Sequence, residues 1–311
     1  MLIMTHQPKV TILLCTYNGQ EFLKKQLDSI INQTYTHWDI YVSDDGSSDR
    51  TIEILRHYQK KLGKNRLVIL DGPGQGFARN FLSLIYNHCI FSDYYAFCDQ
   101  DDIWNSDKLE RSLSALSSKS QTPALYCSRT ELIDEQDITI GYSYNFSKAA
   151  TLKNALIQSI AGGNTMLINH AARKIITKVP ESILVPSHDW WIYQCVCACG
   201  GYVYYDSTST VKYRQHSGNI VGANRLLSAR ILRFKLLFSG SLRPSIDKNI
   251  LLLKALNGHL TEESKILIDK FNYIRTASFI SRMVNAHSVG LYRQSVLESI
   301  AFYVALLLKK I

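Results

Sequence analysis

Residues 10–18 read VTILLCTYN, and this stretch decides the fold. Val10–Cys15 is an apolar run without a break, as expected of a strand buried on both faces. Thr16, Tyr17 and Asn18 then turn abruptly polar. Polar groups at the carboxyl end of a parallel strand face the crevice where such sheets bind ligands. Outward from this point, Phe22, Leu23, Leu27, Ile30 and Ile31 recur at helical spacing over residues 21–31. Strand signals at 38–43, 66–70 and 94–98 then alternate with helical ones at 51–62 and 76–88. Strand–helix–strand alternation implies right-handed crossovers, and hence an α/β, doubly wound, mostly parallel sheet.

Beyond residue 105 the pattern loosens. A helix over 107–116, a strand over 124–128 and a two-stranded excursion around 131–144 are expected. A strand at 165–169 and a helix over 189–199, ended by Gly200–Gly201, follow. Residues 202–206 and 211–214 read as two strands that pair with each other. From Arg225 onward the pattern is helical. Composition, charge and periodicity all shift near Gly222–Arg225, so we divide the chain into a sheet domain, 1–222, and a helical C-terminal region, 223–311.

The chain has 311 residues, 46% of them hydrophobic, and a net charge of +9. Residues 225–311 hold 14 Lys and Arg against 5 Asp and Glu, so this region carries the whole excess. A basic end region suggests an anionic partner, such as phospholipid or a lipid-linked diphosphate. Nucleic acid is not expected, because no zinc-finger or RNA-recognition signature is present. The run RLLSARILRFKLLF, Arg225–Phe238, sets Arg225, Arg230, Arg233 and Lys235 among apolar residues. It suits either an amphipathic surface on anionic lipid or a helical bundle that packs on the sheet domain or forms a homodimer. The seven cysteines fit no zinc spacing and read as reduced packing residues. MLIMTHQPK lacks the apolar core of a signal peptide, and no run of about 18 apolar residues occurs. A cytoplasmic protein, peripheral on the inner face of the membrane, is therefore expected.

The chemistry-bearing residues cluster where the predicted strands end. After the second strand comes SDDGSSD (43–49), whose Asp45 can accept from a base N–H or a ribose hydroxyl, while Asp49 suits a helix N-cap. GQGFARN (74–80) opens a helix and supplies Arg79 as a fork for phosphate. DQDD (99–102) sets Asp99, Asp101 and Asp102 after an apolar strand, with only Lys108 nearby to neutralise them. Mutual repulsion favours a hard divalent ion there, Mg2+ or Mn2+, which also takes phosphate oxygens. In SHDWW (187–191), Asp189 beside aromatic bulk suits a general base, and Trp190 and Trp191 offer flat faces to a sugar ring. The plain alternative is a helix N-cap with core aromatics. In YRQH (213–216), Arg214 suits phosphate and His216 either completes a metal shell or is structural.

In this order, TYNGQEFLKKQLDSIINQTY, VSDDGSSDRT, GQGFARN, DQDD, HDWW and YRQH resemble family 2 glycosyltransferases of the GT-A fold, over residues 8–222. DQDD with HDWW and YRQH resembles the bacterial rhamnosyltransferase-like enzymes of surface polysaccharide synthesis. The resemblance implies an inverting, metal-dependent transfer from a nucleotide-sugar, a dTDP- or UDP-linked donor, to a saccharide or polyprenyl-diphosphate-linked acceptor. It implies that Thr16, Tyr17 and Asn18 line the nucleotide pocket, that Asp45 contacts the base and that Arg79 approaches the diphosphate. Asp99 and Asp101 would be the metal motif with Asp102 in support, Asp189 the base, and Gly162, Gly163 and Asn164 neighbours of the donor sugar or acceptor. His188 departs from the acidic residue commoner before the base. A sugar-phosphate nucleotidyltransferase is disfavoured, since TYNGQEFL is not a glycine-rich basic loop. A non-catalytic sugar-nucleotide-binding module is disfavoured by the intact carboxylate set.

Overall fold

The computed structural model describes residues 7–216, 235 and 237–311. Its nine-stranded sheet is built on four parallel strands in the order β3–β2–β1–β4, namely Leu67–Asp71, Trp38–Asp44, Val10–Thr16 and Tyr94–Cys98. Helices α1 (Leu23–Ile31), α2 (Thr51–Leu62) and α3 (Phe77–Tyr86) are the crossovers. Beyond β4 the sheet continues through β8 (Leu167–Asn169), β6 (Ala124–Ile133), β9 (Tyr202–Arg214) and the short β5 (Ile103–Trp104). β8 runs antiparallel to both β4 and β6, β6 and β9 run parallel, and β7 (Thr139–Tyr142) forms a hairpin with β6. The sheet is thus mixed, with most strands running one way.

The pleat of β1 and β4 divides the interior in two. Ile12, Leu14, Ala96 and Cys98 face a core closed by α1, α2 and α4 (Lys108–Leu116). Leu13, Cys15, Tyr95 and Phe97 face the other core, under α3, α5 (Leu152–Ala155), α6 (His170–Ile176) and α7 (His188–Ala198). That second core runs on without interruption into α8 (Arg243–Ala255), α9 (Glu262–Thr276), α10 (Phe279–Asn285) and α11 (Val296–Leu307), through Leu253, Phe271 and Phe302. The C-terminal helices are therefore packed on the sheet domain. The α10–α11 connection is also hydrogen-bonded to α5: the Asn154 amide donates to Tyr292 O at 3.0 Å and Arg293 to Ile157 O at 2.7 Å.

One expectation about the strands is corrected. Residues 202–214 are a single strand and not a hairpin of two, because each part pairs with β6 across a register shift between Ser128 and Thr130. The boundary at Gly222–Arg225 and most of Arg225–Phe238 lie outside the described residues. Among the described residues no helix is long and apolar enough to cross a membrane, and all seven cysteines are free.

Candidate active site

The parallel register sets the site, because Thr16 aligns with Asp44 at the ends of β1 and β2 while β4 ends beside them at Cys98. Three polar turns leave the sheet together and are wired to one another. The Thr16 hydroxyl donates to Asp44 at 2.6 Å, and Asp44 also accepts from Ser47 N at 2.8 Å and the Ser47 hydroxyl at 2.6 Å. Asp44, which sequence reasoning passed over, is thus the organiser of this turn. Asn18 adopts a left-handed conformation (φ 48°) and accepts from Ser48 N at 2.8 Å. Gln100 reaches back to Tyr17, accepting from its N–H and donating to its carbonyl, both at 2.9 Å. This bonding leaves the Tyr17 ring exposed at the rim.

Asp45 holds the glycine-rich turn. It accepts from Gly74 N at 2.6 Å and from Gly76 N at 2.9 Å, and Gly76 (φ 85°) caps α3. Positive φ is easily reached by glycine, so the sequence GPGQG lets this backbone bend toward the carboxylate. Arg79, in the first turn of α3, donates to the backbone carbonyl of Glu181.

The DQDD carboxylates separate into two environments. Asp102 is fully buried, accepting from the Asn164 amide at 2.6 Å and from Arg214 N at 3.1 Å. Burial first, then Asp101 and Asp99, push its pKa well above the usual carboxylate range. Asp102 therefore lies behind Asp99 and Asp101, held by Asn164 and the Arg214 backbone. Asp99 is half-buried, and its pKa is pushed up to about 8 by burial, then by Asp101, then by Asp189. His216 Nε2 stands 2.8 Å from an Asp101 carboxylate oxygen. Among the described residues no three His, Cys, Asp or Glu side chains converge as a ready-made metal cage.

Asp189 opens α7 and accepts from the Ser187 hydroxyl and from Trp190 N at 2.6 Å. The preceding His188 is buried, stacked 4.3 Å from Phe81 and 5.6 Å from Phe97. Among the described residues neither of its ring nitrogens has a hydrogen-bond partner, and burial lowers its pKa, so the ring is neutral at pH 7. Gly163 faces it, and a Cβ there would stand only 2.7 Å from His188 Nε2. The segment Gly162–Asn164 thus fits against the start of α7 through the absence of a side chain and the bond from Asn164 to Asp102. Trp190 is half-buried with its indole N–H on Ala155 O at 2.7 Å, whereas Trp191 lies wholly inside the core and offers no face to a sugar.

Arg214 is buried. Its side chain is 0% exposed and donates to Asp101 O at 2.9 Å and Asp134 O at 2.9 Å, with a 2.5 Å ion pair to Asp137 and its guanidinium over Phe22 at 4.4 Å. It fastens the β6–β7 hairpin to the back of the acidic turn. Lys108 is likewise buried. It donates to Thr165 O at 2.9 Å, lies 4.7 Å from the Trp104 ring, and is lowered to about 7 by burial, against the fields of Cys98 and Asp102.

A crevice at the carboxyl ends of β1, β2 and β4, with an acidic turn faced by a helix-borne carboxylate, defines a glycosyltransferase of the GT-A type. The chain belongs to glycosyltransferase family 2, whose model matches residues 11–175. It is 30% identical to the dTDP-rhamnosyl transferase RfbG of Shigella flexneri over 76% of this chain and 82% of that one. An uncharacterized glycosyltransferase of Rickettsia typhi is 24% identical over 96% of this chain and 92% of its own. Among solved structures, S. aureus TarS 1-349 in complex with UDP-GlcNAc superposes with a TM-score of 0.54 at 13% identity, covering 96% of this chain and 90% of that one. The mannosyltransferase PcManGT of Pyrobaculum calidifontis, in complex with GDP-Man and Mn2+, gives 0.51 at 15% identity over 98% and 88%.

Proposed function

We propose that this enzyme transfers a sugar with inversion, rhamnose from a dTDP- or UDP-linked donor, onto a saccharide or polyprenyl-diphosphate-linked acceptor in bacterial surface polysaccharide synthesis. The relationship to RfbG supports the rhamnosyl donor. The observation that carries the reading is geometric: a Cβ on Gly163 would lie 3.6 Å from Asp189 Cβ, while the next residue, Asn164, donates to Asp102 at 2.6 Å, so the HDWW segment and the DQDD turn meet across one short segment.

In this reading Thr16, Tyr17, Asn18 and the Asp45-held glycine turn shape the nucleotide pocket, and Arg79 stands at the diphosphate. Asp99 and Asp101, with His216 beside Asp101, would be the oxygen and nitrogen donors for Mg2+ or Mn2+, which would supply positive charge to a departing nucleoside diphosphate. Asp189 takes the proton from the acceptor hydroxyl as that oxygen attacks the anomeric carbon opposite the leaving group. One displacement inverts configuration. Neutral His188 and Trp190 shape the sugar side of the pocket beside Gly163 and Asn164. Residues 1–222 carry the chemistry and residues 223–311 bring it to a membrane surface or a second subunit, at the inner face of the cell membrane.

Screening nucleotide-sugars for Mn2+-dependent thermal stabilisation tests this, since a bound donor stabilises by mass action. dTDP-rhamnose is expected to raise the melting temperature. Diphosphate release from a sugar phosphate and a nucleoside triphosphate, without donor binding, overturns the reading.

A further inference from the structure

We infer that α10 and α11 together form a docking face for an anionic lipid surface. On α10, Phe279, Ile280, Met283 and Val284 share one side, and Ile280 and Val284 are 75% and 73% exposed. On α11, Val296, Leu297, Ile300 and Val304 form a second outward stripe, with Val296 65% exposed. The two helices are fastened together by Arg282, whose guanidinium donates to Leu307 O at 2.9 Å. Eight large apolar side chains exposed on two bonded helices exceed the scattered apolar residues usual on a free surface and suit an interaction site.

The charge around the face selects the occupant. The only acidic residue on either helix, Glu298, is buried and paired with Arg293 at 3.1 Å. The stripe on α11 ends in Leu308, Lys309 and Lys310, all exposed. A second copy docked face to face would bring like charges to one rim. An anionic bilayer matches both the apolar stripes and the exposed Lys309 and Lys310 at their end. Tyr273 of α9 is exposed with its hydroxyl 3.4 Å from Ser281 Oγ at the start of α10, an amphipathic ring placed as in an interfacial belt.

The face also stands near the site. Gln294 N, in the α10–α11 connection, donates to Gln158 Oε1 at 2.8 Å. Five residue steps separate Gln158 from Gly163, which span at most about 18 Å even fully extended. The inference rests on the proposed placement of residues 223–311 at a membrane and names the face; its test reads membrane binding and is independent of the donor and the base.

Flotation of the full chain with vesicles tests it, comparing phosphatidylcholine alone with phosphatidylcholine mixed with phosphatidylglycerol. The wild type is expected to float with the anionic vesicles, and the Ile280→Glu, Val284→Glu variant to lose roughly tenfold or more of that binding. The Lys309→Glu, Lys310→Glu variant leaves the apolar stripes intact and is expected to lose only the preference for phosphatidylglycerol. Circular dichroism melting of each variant checks that it is folded. Absence of flotation by the wild type, or equal flotation by both variants, overturns the inference. So does a solution dimer that the Ile280→Glu, Val284→Glu variant splits, which would assign the face to a second copy.

Discussion

The Asn164 side-chain amide donates to the Asp102 carboxylate at 2.6 Å, across 62 residues of sequence and in the buried floor of the acidic turn. This bond joins the segment under the catalytic helix to the motif at the end of β4. Removing it in Asn164→Ala leaves a buried carboxylate short of a donor, at a cost of about 1–3 kcal/mol. Urea unfolding is expected to show that loss, and transfer by the folded variant is expected to fall as Asp99 and Asp101 lose their backing. A variant with unchanged stability and turnover would make the bond incidental.

Asp189→Asn is expected to lower kcat by roughly 10²–10⁴-fold, the usual contribution of a positioned base. The substituted amide oxygen can still accept from Trp190 N, so α7 keeps its first turn. Nucleotide binding, followed by calorimetry, is expected to stay within a factor of about two, because the base acts on the acceptor and not on the nucleotide. Full turnover by this variant would remove Asp189 from the mechanism.

Arg214→Lys separates a clamp from a phosphate contact. The guanidinium meets two backbone carbonyls and Asp137 at once, a set that an ammonium on a single carbon stem cannot reproduce. A stability loss of about 3 kcal/mol is expected, seen as a lower urea midpoint. Unchanged stability with weakened donor binding would restore the phosphate role.

Lys108 gives the enzyme a pH-dependent stability. Burial lowers its folded pKa to about 7, against about 10.4 in the unfolded chain. Between those values the unfolded chain carries a proton that the folded chain lacks, so this residue makes stability rise with pH. Its penalty is full below pH 7 and fades as pH climbs toward about 10. Relative to Lys108→Met, the wild type is therefore expected to gain stability between pH 7 and pH 9.5 in parallel urea titrations. Parallel slopes for the two proteins would contradict this.

Much of the fold is legible in the sequence because each parallel strand is a short apolar run closed by a polar turn. Thr51–Leu62 and Tyr94–Cys98 are read with both ends as found. The strand over 202–214 is misread because its middle, DSTST, looks like a turn. Only the long neighbour β6 beside it supplies partners along its length. The site is legible in the same uneven way. The positions of Asp45, Arg79, DQDD and Asp189 follow from strand and helix ends. The division of labour within DQDD does not, because Asp99 and Asp102 are chemically identical and differ only in burial.

The sequence by itself determined the α/β alternation, the order of the polar turns and the collection of carboxylates at strand ends, since these depend on local periodicity and on side-chain type. Tertiary structure alone decided which of those groups face the crevice. Arg214 and Asp102 turn inward because the β6–β7 hairpin and the Gly162–Asn164 segment close over them. Trp191 and Trp190, adjacent in the chain, part ways because the 3.6-residue turn of α7 sends one into the core and leaves the other at its edge. Burial and pairing across long sequence separation are properties of packing, and no local pattern encodes them.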